Sequence, residues 1–230
     1  HLSIRRQRQM CIRDSDNTVP VVFIAGTALV LAVPIMLGAM AGVMSERSGI
    51  TNIAIEGQLL TGAFMAAVVS SITDNFALGI FAAMFTASLM SMILAVFAIK
   101  FLAQQIIVGV VLNVLVIGIT NFLYQQWLTE DGENVNFPGT LDIIKIPFLS
   151  DIPVIGPVLF ENRITVFAAL LIVPALWFVL FKTKLGLRAR AVGEHPLAAD
   201  TVGISVGRTR FWWVTIGGAI AGLGLSLIHI

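Results

Sequence analysis

Four stretches of this chain run for about 20 residues without one charged side chain. They are Val19–Met44, Phe76–Ile99, Ile106–Leu128 and Ile164–Phe181. A segment of that length and apolarity matches the hydrocarbon thickness of a bilayer, and no soluble fold has that many to bury. Phe211–Leu227 opens a further apolar run. Ile50–Ile72 is weaker, because Thr51, Asn52, Glu56, Gln58 and Thr61 interrupt its first half. It is expected to span all the same, as an irregular segment lining a cavity, since polar or non-helical backbone survives at depth only where protein or water covers it. The expected fold is therefore an all-α polytopic membrane bundle of about six spans. Composition agrees. Hydrophobic residues make up 57% of the 230 and charged residues only 12%, against about 25% charged in soluble domains. A net charge of +1 gives no basis for nucleic-acid binding. The single cysteine, Cys11, rules out an intrachain disulfide and says nothing about redox compartment.

Lys/Arg asymmetry orients the spans. Residues 182–210 carry Lys182, Lys184, Arg188, Arg190, Arg208 and Arg210 against Glu194 and Asp200, so this loop is expected in the cytoplasm. Residues 129–163 carry six carboxylates (Glu130, Asp131, Glu133, Asp142, Asp151 and Glu161) against Lys145 and Arg163. They are expected outside, as a short structured cap. Tyr124 and Trp127 at one end, and Phe211, Trp212 and Trp213 at the other, suit interfacial anchors. Pro34 and Pro174 fall within spans and are expected to kink them. The ends differ in character. His1–Ser15 has four arginines and no apolar run. With Leu225–Ile230 it resembles translated sequencing-adapter read-through, so residues 1–15 and 225–230 are expected to be non-native. The membrane-spanning domain is taken as 19–227.

Catalytic motifs are scarce. There is no G-x-x-x-x-G-K-[ST] for a P-loop and no H-E-x-x-H. Gly203–Gly207 matches G-x-S-x-G in letters, but a nucleophile elbow needs a strand before it and a helix after it, and this stretch follows a short helix in a basic loop. Glu56 is the one carboxylate inside an expected span. Asn52 lies four residues before it, so on a helix the two share a face. They could line a translocation path; the plainer reading is a buried interhelical hydrogen bond or a shallow Glu. Asn113 in the fourth span has the same two readings. Gly38-x-x-x-Gly42 and Gly218-x-x-x-Gly222 allow close helix packing.

The loop KTKLGLRARAVGEHPLAADTVGISVGRTR carries most information. Pro196 suits a first helical turn, Leu197–Val202 gives about two turns, and Gly203 is a good stop. So short a helix needs a partner. Ala198, Ala199 and Asp200 suit a protein groove better than a membrane surface, which selects for Lys/Arg.

Three stretches, Ser45–Ala66, Gln104–Tyr124 and Gly186–Arg210, resemble the permease subunits of ABC importers in the branched-chain amino acid/simple sugar/nucleoside family, the nucleoside/simple-sugar branch most of all. The third, with Arg-Ala-x-Gly-Glu-x-Pro-x-Ala-Ala, is the most specific. The resemblance implies a coupling helix around Glu194–Val202 that docks on a cytoplasmic ATPase subunit, where ATP and Mg2+ would sit. Arg190, Gly193, Glu194, His195, Pro196, Ala198, Ala199, Asp200 and Gly203 would form that contact; His195 stands where relatives carry Asn. Asn52, Glu56 and Gly57 match the first of these stretches, and with Asn113 they are the residues expected to line a translocation path. Further implied partners are a second permease subunit, identical or paired, an extracytoplasmic substrate-binding lipoprotein or protein, and lipid of a prokaryotic inner membrane. The chain itself would hold no cofactor or metal and would not be an enzyme. Two readings compete: an ion-coupled secondary transporter using Glu56, and an intramembrane lipid enzyme recruiting Ser205 and His195.

Overall fold

The computed structural model describes residues 18–128, 143–145 and 161–229. Eight helices appear among them: α1 (Thr18–Arg47), α2 (Ile55–Thr73), α3 (Phe76–Ile99), α4 (Gln105–Leu128), α5 (Ile164–Lys182), α6 (Lys184–Glu194), α7 (Pro196–Thr201) and α8 (Val206–His229). Two three-residue strands, Ile143–Lys145 and Glu161–Arg163, pair antiparallel, with Ile144 opposite Asn162. The rest of the expected outer cap, and residues 1–15, lie outside the described residues.

The apolar helices form because each backbone group is satisfied within its own segment, the condition a bilayer imposes. Their ends are marked by specific residues. Gly49 adopts φ +86°, and the N–H of Ile50 donates to Ser45 O at 3.1 Å, closing α1 in a left-handed C-terminal turn. Asn75 caps α3, accepting from the N–H of Ala77 at 3.0 Å. Both α1 and α5 continue through their prolines, Pro34 and Pro174.

At the centre lies α8, packed on α1, α2 and α3. Its glycines are what bring it so close. A Cβ on Gly222 would meet Ala83 O at 2.6 Å, and one on Gly62 of α2 would meet Gly222 O at 2.5 Å. Gly218 rests on Ser91 of α3, and Gly38 and Gly42 of α1 lie against Ile55. Lipid tails are as apolar as leucine, so helices in a membrane associate through such close backbone approach. Val33, Leu37 and Met44 of α1 bury against Val166, Ala169, Leu176 and Leu180 of α5, with Trp213 of α8 in the same cluster. A second cluster joins Ile50 and Ala54 to Leu94, Leu112 and Val214.

Four helices among the described residues are long and apolar enough to cross a membrane: Ile24–Arg47, Ile55–Thr73, Phe76–Ile99 and Gln105–Gln126. A fifth is reached if α5 and α6, bent by 71° at Thr183, count as one span. The expected apolar run Phe211–Leu227 lies within α8.

Candidate functional site

Between α1 and α2 the chain leaves the helix, and residues 48–54 run as irregular backbone inside the bundle. The polar residues of the sequence explain how this is tolerated. The N–H of Thr51 donates to Gln105 Oε1 at 2.6 Å. Asn113 Nδ2 donates to Ile53 O at 3.0 Å, while its Oδ1 accepts from the N–H of Gly57 at 2.9 Å. One side chain of α4 thus satisfies a carbonyl of the irregular segment and an otherwise unpaired donor in the first turn of α2. Glycines permit the approach: a Cβ on Gly57 would lie 2.8 Å from Asn113 Oδ1, and one on Gly109 would lie 3.0 Å from Ile53 Cβ. The amides of Asn52 and Gln58 pair with each other, at 3.1 and 3.3 Å, and Asn52 Oδ1 also accepts from the N–H of Ala54 at 3.0 Å. Both side chains are buried.

One geometric expectation needs correction. Asn52 and Glu56 do not share a helix face, because α2 begins only at Ile55. Asn52 precedes the helix and points into the amide pair, whereas Glu56 is exposed. Of the four residues assigned to the path, Asn52, Gly57 and Asn113 are engaged in holding the irregular segment. Glu56 and Thr51 are exposed. Gln58, Gln105 and Gly109 complete the arrangement. Nothing in the sequence marks Gly109, and Gln105 reads from sequence as an interfacial residue.

Beside it lies a crevice of about 160 Å3 between α2, α3 and α4, lined by Phe64, Met65, Leu89, Met90, Val116 and Leu123. The hydroxyls at its edge, Thr61, Thr86 and Thr120, donate back to their own helices. The crevice is apolar and does not suit a polar solute. Among the described residues no group of His, Cys, Asp and Glu is arranged to hold a metal.

The loop at 182–210 holds two helices where the sequence indicates one. Glu194 ends α6. His195 is the joint, with φ −138° and ψ 81°. The short helix expected there is α7, Pro196–Thr201, so neither Glu194 nor His195 lies in it, and it stops one residue short of Val202. Pro196 takes the first helical position as expected, and Gly203, at φ +81°, closes the end through Ile204 N–H to Ala199 O at 3.0 Å. Ala199 is buried; Ala198 and Asp200 are exposed, Leu197 is 84% exposed and Val202 78%. Arg190 does not project outward: its guanidinium lies 5.1 Å from the centre of the Phe181 ring. Ser205 stands at the turn between α7 and α8, helix on either side, without the strand that a nucleophile elbow requires.

Gly193 packs directly on the carbonyl of Arg47 and the backbone of Gly49. Arg210, in the second turn of α8, donates from Nε to Ser48 O at 3.1 Å. The end of α1, the end of α6 and the start of α8 therefore meet at one joint, directly before the irregular segment 48–54.

The family model described as branched-chain amino acid transport system / permease component matches residues 24–227. The guanosine ABC transporter permease protein NupQ of Bacillus subtilis is 40% identical over 208 residues, covering 87% of this chain and 65% of that protein. The nucleoside ABC transporter permease protein NupC of Lactococcus lactis is 34% identical over 217 residues, covering 90% and 67%. A Haloferax volcanii protein named for glucose transport is 35% identical over 191 residues, covering 83% and 57%. The chain thus spans about two thirds or less of the length of these relatives. No solved structure matches.

Proposed function

The chain belongs to the family of branched-chain amino acid transport system permease components, and on that footing we propose that it is part of the membrane-spanning permease of an ABC importer that moves a nucleoside inward. The nucleoside assignment draws on the two relatives whose names state it; a simple sugar is the neighbouring choice. Lys/Arg asymmetry supports a cytoplasmic position for residues 182–210, and the membrane would be a prokaryotic inner membrane. There α7 would dock on an ATPase subunit that holds ATP and Mg2+. A second permease subunit and an extracytoplasmic substrate-binding protein would complete the assembly.

The observation that carries this reading is the exposed α7, fixed at both ends. A six-residue helix is far too short to persist alone. Here Pro196 and Gly203 fix its ends, Ala199 anchors it, and Leu197 and Val202 are left bare toward solvent. Its displacement would pass through Gly193 and Gly49 into segment 48–54, and from there to Asn113 and Gly57. That is a mechanical route from hydrolysis in a partner to the polar part of the bundle.

Uptake of labelled guanosine by the full-length permease, co-reconstituted with its ATPase and binding protein, tests the reading. ATP inside proteoliposomes should drive accumulation. Accumulation driven instead by a proton or sodium gradient without ATP, and abolished by Glu56→Gln, would establish the ion-coupled alternative.

A further inference from the structure

We propose that the elbow between α5 and α6 binds the phosphate of an anionic phospholipid headgroup, held between Lys182 and Arg190. The exposed face of α5 ends in aromatic rings: Trp177, Phe178 and Phe181 are each partly bare. The rings of Trp177 and Phe181 are 6.2 Å apart. Lys182 Nζ lies 5.7 Å from the centre of Trp177, and the Arg190 guanidinium lies over Phe181. Two cations, one from each helix, are thus steered onto the same pair of rings by cation–π contact. Exposed aromatic rings at the end of a membrane span sit at headgroup level, so both charges are placed at the depth of lipid phosphates.

The backbone fixes this placement. Thr183 caps α6, accepting from the N–H of Gly186 at 3.3 Å. Gly186 lies directly on the carbonyls of Val179 and Leu180, where a side chain has no room. The 71° bend lays α6 across the end of α5. Ala189 and Val192 bury inward; Leu185 and Leu187 remain exposed beside Lys184 and Arg188. Bare leucines interleaved with cations are the pattern of a helix lying in the membrane interface.

Cations outnumber carboxylates here: Lys182, Lys184, Arg188 and Arg190 stand against Glu194 alone, at the far end of α6, and Arg190 Nε is buried without a hydrogen-bond partner. By contrast α7 carries Asp200 and no cation. The two adjoining helices therefore present different chemistry: α6 suits an anionic lipid surface and α7 a protein groove. The inference needs only that α5 spans a bilayer, and it holds whatever solute the protein moves.

Native mass spectrometry of the full-length permease, titrated with phosphatidylglycerol and phosphatidylcholine, measures the preference directly. The parent protein should favour phosphatidylglycerol, by about fivefold for each cation engaged. Lys182→Gln with Arg190→Gln should bring the ratio close to one. Lys182→Arg with Arg190→Lys should keep it, and so should Arg208→Gln, a cation on α8 that belongs to neither helix of the elbow. An unchanged ratio in the doubly neutral variant, or equal binding of both lipids by the parent, would overturn the proposal. So would displacement of the lipid by millimolar glycerol 3-phosphate, which would assign the site to a free phosphate. Loss of ATPase association at unchanged lipid preference would assign the cations to a protein partner and overturn it as well.

Discussion

Arg210 Nε donates to the carbonyl oxygen of Ser48 at 3.1 Å, joining residues 162 apart in the chain. The bond ties the second turn of α8 to the residue that follows α1, where Gly193 also rests on Arg47 and Gly49. A hydrogen bond from a charged donor contributes about 1.5–3 kcal/mol, and the lower end applies to a partly solvated guanidinium. Arg210→Gln in the full-length permease is expected to lower the unfolding temperature slightly. Its larger effect should be on coupling: ATP hydrolysis persists in the assembled complex while uptake falls, and Arg210→Lys recovers part of it. Parallel hydrolysis and uptake assays on one proteoliposome preparation check this.

Asn113→Leu removes the acceptor for Gly57 N–H and the donor for Ile53 O together. Leaving a buried polar group unpaired costs about 1–3 kcal/mol, and the lower end applies here, because the Gly57 bond is part-buried and the Ile53 bond exposed. Asn113→Asp keeps the acceptor and loses only the donor, so it should cost less. Amide exchange at Gly57 distinguishes the two: fast in Asn113→Leu, protected in Asn113→Asp.

Glycines in this bundle are expected to differ in sign. Gly222→Ala drives a methyl group into Ala83 O and the Ala87 side chain, and overpacking of that kind costs about 1–3 kcal/mol. Gly118 has nothing within 4 Å of a Cβ. There Gly118→Ala should gain about 0.5–1 kcal/mol from helix propensity alone. Thermal unfolding in one detergent should move in opposite directions for the two variants.

The sequence made the spans legible wherever apolarity was continuous. Phe76–Ile99 is bounded in the structure as the hydropathy implies, and the irregular start of the Ile50–Ile72 span follows from its crowded polar residues. What escaped it depends on residues far apart in the chain. A helical period cannot show that Asn52 precedes the helix, since Asn52 is held by Gln58 and Ala54 only once the backbone has turned. The 71° elbow at Thr183 is invisible for the same reason: Lys184–Glu194 reads as a basic loop until Gly186 packs on the preceding carbonyls. Arg210 looks like one more cytoplasmic cation, and its partner is a carbonyl with no side-chain signal. The short helix ended by Gly203 was legible because Pro196 and Gly203 act locally.

Docking of α7 on an ATPase is the central claim, and Leu197→Glu tests it most directly. Leu197 is 84% exposed, so the substitution leaves the bundle intact and changes only the surface offered to a partner. The full-length permease with Leu197→Glu should unfold at the same temperature as the parent, no longer co-purify with the ATPase subunit, and lose ATP-driven guanosine uptake. Retained co-purification together with undiminished uptake would contradict the account.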